Sequence, residues 1–213
     1  MTAARAALPL ALLLLASCGG PKPLQLPADP VDRAATCGVV AAASARTRTD
    51  VAASLTLEAQ GRILHHALLA ASEGGEFRSD VAKTVSDRMA ALQGQITKGK
   101  WQELAAPCAS AYPAAAKDEV ELPKARLDAQ LQCEELADFV VTALEGEESR
   151  YGNELADFRQ MRSRVNDALA GGLNARAGRD LAAQQKARRR ALAAASSLGS
   201  PISVLDACRK RFS

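Results

Sequence analysis

Between positions 77 and 96, apolar residues recur every three or four steps: Phe77, Val81, Val85, Met89, Leu92 and Ile96 share one stripe. That is the period of an amphipathic helix, and such a helix must bury its stripe against neighbours. The same spacing returns in Leu127, Leu131, Leu136, Phe139 and Val140, and again in Tyr151, Leu155, Phe158, Val165 and Leu169. Alanine and leucine dominate and β-branched residues form no alternating run of strand type, so the pattern predicts an all-α fold. In the first half helices are expected over 33–45, 51–72 and 77–96, with 101–111 as a capping segment. Gly74-Gly75 and Gly99 would end the second and third of them. In the second half Pro123 would open a helix running to Leu144. Ser149 would cap the next, ended by Gly171-Gly172, and Asn174 would cap a long last helix reaching Ser197. Gly199-Ser200-Pro201 then breaks the chain before a closing segment that holds Cys208.

Four cysteines punctuate these elements. Cys37 and Cys108 are 71 residues apart, Cys133 and Cys208 are 75 apart, and each pair brackets the same succession of helices. The closing segments also correspond, since Trp101-x-x-Leu104-x-x-x-Cys108 lies over Pro201-x-x-Val204-x-x-x-Cys208. The expectation is an internal duplication: two tandem, similar small helical bundles over 33–113 and 114–213. Four cysteines allow three pairings, and the duplication favours Cys37 with Cys108 and Cys133 with Cys208.

The N-terminus carries a different signal. Arg5 precedes an apolar run from Ala6 to Ala16, and Leu15-Ala16-Ser17-Cys18 closes it with small side chains before a cysteine. These residues resemble the lipobox of bacterial lipoprotein precursors. The resemblance implies removal of residues 1–17 as a signal peptide and acylation of Cys18, on its sulfur and on the new amine. A spanning helix needs about 20 apolar residues, roughly twice this run. Gly19 stands where the family's inner-membrane retention signal carries Asp, which implies the outer membrane, with the domain facing the periplasm. That compartment is oxidising, which suits paired cysteines. Pro21, Pro23, Pro27 and Pro30 make 18–32 a semi-rigid tether. Anchor, size and helix content together are also similar to the pilotins, small helical lipoproteins that escort secretion or pilus components.

Charge narrows the function. The whole chain carries a formal +3, and losing Arg5 would leave +2, too little excess for a dedicated nucleic-acid binder. No Cys-x-x-Cys, His-Glu-x-x-His, Gly-x-Ser-x-Gly, Ser-x-x-Lys or glycine-rich phosphate loop occurs, so no enzyme is expected. His65 and His66 are adjacent and point about 100° apart on a helix, which makes them poor joint metal ligands. No metal or cofactor is expected.

One charged feature has a shape. Arg176, Arg179, Lys186, Arg189 and Arg190 fall within about 140° of arc if the last long helix is drawn at about 100° per residue. Such a strip could touch anionic polymers or head groups, but Glu134, Glu135, Asp138, Glu145, Glu147 and Glu148 in the same half are expected to neutralise it. Arg188 falls on the apolar side, so its stem should pack while its head reaches solvent or a carboxylate. Trp101 is expected to pack on the core.

Two functions follow. One is a structural or adaptor lipoprotein that meets an envelope protein through an exposed apolar patch. The other is a carrier of a small apolar ligand, with a pocket lined by Leu55, Ile63, Leu68 and Met89.

Overall fold

A computed structural model describes residues 25–47 and 53–212. Cys18, the expected signal segment and most of the expected tether lie outside the described residues. The fold is all-α: α1 Pro30–Thr47, α2 Leu57–Ser72, α3 Ser79–Lys98, α4 Ala105–Ala111, α5 Arg126–Ala143, α6 Glu148–Ala177, α7 Leu181–Ser196 and α8 Pro201–Phe212. Short 3-10 turns, Trp101–Leu104 and Pro113–Ala116, flank α4. No helix among the described residues is by itself long and apolar enough to cross a membrane.

Two cores hold these helices. Ala34, Val39 and Val40 of α1, Val85 and Ile96 of α3, and Leu104 and Tyr112 form the first. Leu131, Leu136 and Val140 of α5, Leu155, Phe158 and Val165 of α6, Leu192 of α7 and Val204 and Leu205 of α8 form the second. Helix α2 serves both. Its Ala67 and Ala70 face the first core while its Leu57 and Leu68 face the second. Phe77, just before α3, likewise meets Phe139 of α5 edge to face at 5.6 Å, and its backbone N–H donates to the Arg189 carbonyl at 3.1 Å. The halves are therefore packed on each other through a shared helix.

Several boundaries depart from expectation, each for a local reason. Pro30 is helical and does not belong to the tether: the Asp29 carboxylate accepts the Asp32 N–H at 2.9 Å, and a proline in the first turn gives up no needed donor. Helix α2 starts at Leu57, where the Thr56 hydroxyl accepts from the Ala59 N–H at 3.2 Å. Pro123 stays outside α5, its carbonyl and that of Lys124 taken by the Arg211 guanidinium at 2.6 and 3.1 Å. Ser149 is not the cap of α6; Glu147 stands there, and a kink at Tyr151 sets off the first turn.

The largest departure is at the end of α6. Gly171-Gly172 does not stop it, because Gly172 is used for close approach: a Cβ there would lie 2.8 Å from Leu127 Cδ1 of α5. The helix runs on to Ala177 and ends at Gly178, whose φ of 69° suits glycine alone. Asp180 then caps α7 by accepting the Ala182 N–H at 3.0 Å, so Asn174 lies inside α6 and caps nothing.

Candidate functional site

A groove of about 570 Å3 opens between α1, α2 and α3 in the first half. Its apolar wall is Leu55, Ile63 and Met89, with Trp101 at one end. Trp101 also packs against the first core, as its apolar bulk requires. Gln60, Gln93, Thr97 and Arg46 supply polar groups around the apolar wall. Leu55 is held in place from the other half, since its carbonyl accepts a buried hydrogen bond from the Tyr151 hydroxyl. Leu68, expected in this wall, is absent from it. Five residues beyond Ile63 on α2, it is rotated by about 140° and is fully buried in the second core.

All four domain cysteines are paired. Cys37–Cys108 and Cys133–Cys208 join helices whose Cα atoms are 5.4 and 5.7 Å apart, the pairing that the spacing favours. The first ties α1 to α4 and the second ties α5 to α8.

His65 and His66 lie inside the protein, 0% and 5% exposed. Burial pushes His65 down to about 4, opposed in part by its contact with the Ser196 carbonyl, and pushes His66 down to about 3. His66 packs edge to face on Tyr112 at 5.2 Å. Among the described residues no cluster of three potential ligands could hold a metal ion.

The basic strip is split by the break at Gly178. Arg176 ends α6, Arg179 sits in the turn, and only Lys186, Arg189 and Arg190 share α7. Their acidic partners are not those expected. Glu76, from the α2–α3 connection, reaches Lys186, Arg189 and Arg190 at 3.5, 3.6 and 3.1 Å, while Arg176 pairs with Asp128. Partial desolvation alone would raise the Glu76 carboxyl, but Lys186 and Arg190 hold it below the usual carboxylate range. No sequence signal singled out Glu76, because its partners are more than a hundred residues away.

Of the expected acids, Glu134 and Glu135 take Arg188, whose Nη1 lies 2.5 Å from a carboxylate oxygen of each. The guanidinium head reaches carboxylates as its place on the apolar side demands. Arg162 adds contacts to Glu134 at 3.4 Å and to Asp138 at 2.8 Å. Glu147 and Glu148 pair with Arg150 and Arg159 at 2.9 and 3.1 Å. Burial and the adjacent Glu134 push Glu135 up to about 8, against the pull of Arg188. Burial would raise Glu134 too, yet its bond to Glu135 and the two arginines keep it low.

No family model, no curated protein and no solved structure matches this chain.

Proposed function

We propose that this is an acyl-anchored protein of the bacterial cell envelope, and that its first helical unit is a non-enzymatic module holding a small apolar ligand. The anchor rests on the lipobox residues Leu15-Ala16-Ser17-Cys18. The ligand reading is carried by one observation: Leu55, Ile63, Met89 and Trp101 line a single groove of about 570 Å3, a size common among small-molecule sites. Transfer of an apolar molecule into such a wall is driven by removal of its surface from water. The adaptor reading has less support, because among the described residues the exposed large apolar side chain is Leu181 alone. We further infer that the halves descend from a duplication, on the matched length of α1 and α5, 18 residues each, and the matched cysteine spacing.

Native mass spectrometry of the full chain extracted from its own envelope tests both parts. The expected spectrum carries the mass of the acyl groups on Cys18 together with a small bound molecule. An Ile63→Glu variant with a wild-type melting profile should lose the bound molecule and keep the acyl mass. Bare protein in every charge state would sink the ligand reading, and an unacylated Cys18 would sink the anchor.

A further inference from the structure

A second groove, of about 490 Å3, runs between α5 and α7 beside the last turn of α6. Its floor is apolar, built on Leu131 and on Ala187 and Ala191. Around it stand Arg176, Lys186 and Arg190, with side chains 44%, 50% and 60% exposed, so the cations remain open to a ligand. The break at Gly178 that splits the basic strip in sequence folds its ends together here.

The local charges do not cancel. Asp128, the acid in the wall, is engaged by Arg176. Glu76 is a single carboxylate shared by Lys186, Arg189 and Arg190, which leaves positive charge over the groove. A further anion would be drawn there. Phosphate, as a monoester or a diester, presents charged acceptor oxygens that suit an arginine fork.

Gln132 points to a further contact. It lines the same groove and is 8% exposed, and its Oε1 is enclosed with no hydrogen-bond partner among the described residues. Buried amide oxygens are rarely left so, because the loss of hydration is not made good. A turn of the amide into the groove would let a hydroxyl on a bound molecule satisfy it.

We propose that the α5–α7 groove binds a phosphoglycerol group: phosphate oxygens between Arg176, Lys186 and Arg190, a glycerol hydroxyl donating to Gln132 Oε1, and any attached chain over Leu131 and Ala187. The group has two sources, an anionic lipid head group and a free phosphate ester. This site is separate from the apolar groove of the first unit and stands whether or not that groove holds a ligand.

Calorimetric titration of the full chain in nonionic detergent distinguishes the sources, with dihexanoyl phosphatidylglycerol, glycerol 3-phosphate and dihexanoyl phosphatidylcholine below their aggregation limits. Phosphatidylglycerol is expected to bind at least tenfold more tightly than phosphatidylcholine. Glycerol 3-phosphate binding as tightly as the lipid identifies a free ester, and weaker binding identifies the lipid. Lys186→Gln combined with Arg190→Gln should weaken binding at least tenfold. Ala187→Leu, which fills the floor without changing charge, should do the same and decides the matter if the double variant melts early. Equal binding of the two lipids, binding unchanged in variants that melt like wild type, or no binding of either phosphoglycerol compound would overturn the proposal.

Discussion

His65 Nε2 lies 2.7 Å from the carbonyl oxygen of Ser196, a buried contact between α2 in the first half and α7 in the second. A ring nitrogen facing a carbonyl must carry the hydrogen, so the imidazole donates there and stays neutral. The two cores are thus joined by a polar bond as well as by the shared helix, and both ends of the bond are enclosed.

Acid should loosen this junction. The folded protein holds His65 and His66 neutral down to about pH 4 and 3, whereas the unfolded chain protonates them near 6.5. Their contribution is fully present above 6.5 and falls as the pH drops toward those folded values, because unfolding then takes up protons. Urea unfolding at pH 6, 5 and 4 should show a progressive loss of stability. His66→Phe, which keeps an aromatic ring against Tyr112, should reduce the slope by about one proton. An unchanged slope in that variant would contradict neutral burial.

The Glu135 carboxyl works in the opposite sense. Its folded pKa of about 8 lies above its unfolded value of 4.5, so its stabilising contribution is complete below 4.5 and is lost as the pH rises through 8. Between pH 5 and 6 it offsets one of the two histidines. Wild-type unfolding should therefore take up about one proton in that window, and Glu135→Gln about two. The amide mimics the protonated acid, so Glu135→Gln should be nearly neutral at pH 7. Glu134→Gln should cost about 2 kcal/mol there, since Arg188 and Arg162 would lose the ionised partner that they enclose. Equal losses for the two variants would refute the division of roles between them.

Reduction of the disulfides gives a separate test. Bridges that close spans of 71 and 75 residues each restrict the unfolded chain enough to contribute about 4 kcal/mol in the entropic account. For helical units with few aromatics this is comparable to the entire stability of a small domain, about 5 kcal/mol at the low end. Cys133→Ala with Cys208→Ala should lower the urea midpoint sharply and raise the slope, because the unfolded chain expands once the bridge is gone. The Cys37 and Cys108 pair should behave alike, and a change under about 1 kcal/mol in either would show that the bridges are incidental.

Helices and disulfides were legible because they rest on local spacing. The stripe from Phe77 to Ile96 is buried or half-buried throughout, and the cysteines pair as their matched spacing favours. Boundaries set by distant partners were not legible. Nothing near Pro123 signals that Arg211 will take its carbonyl, and nothing near Gly172 signals Leu127. The break at Gly178 was readable, since Gly178-Arg179-Asp180 places a C-terminal glycine and an N-cap aspartate side by side. Of the expected pocket, Leu55 from the segment before α2, Ile63 of α2 and Met89 of α3 come together, while Leu68 turns inward. The partnership of Glu76 with α7 depends on how the halves pack, which no periodicity encodes.

Adjacent glycines in α6 offer a matched comparison of helix propensity against packing. Gly171 has nothing within 4 Å of where a Cβ would sit, whereas Gly172 has Leu127 Cδ1 at 2.8 Å. Gly171→Ala should therefore stabilise by roughly 0.5–1 kcal/mol, through lower backbone entropy in the unfolded chain. Gly172→Ala gains the same term but forces Leu127 aside, an overpacking cost typically of about 1–3 kcal/mol. The gain should vanish or reverse. Shortening the neighbour removes the conflict, so Gly172→Ala should be stabilising again when measured in a Leu127→Ala background. Thermal unfolding of the four variants closes the cycle, and identical shifts for the two glycines would mean that α5 and α6 are not in contact at Gly172.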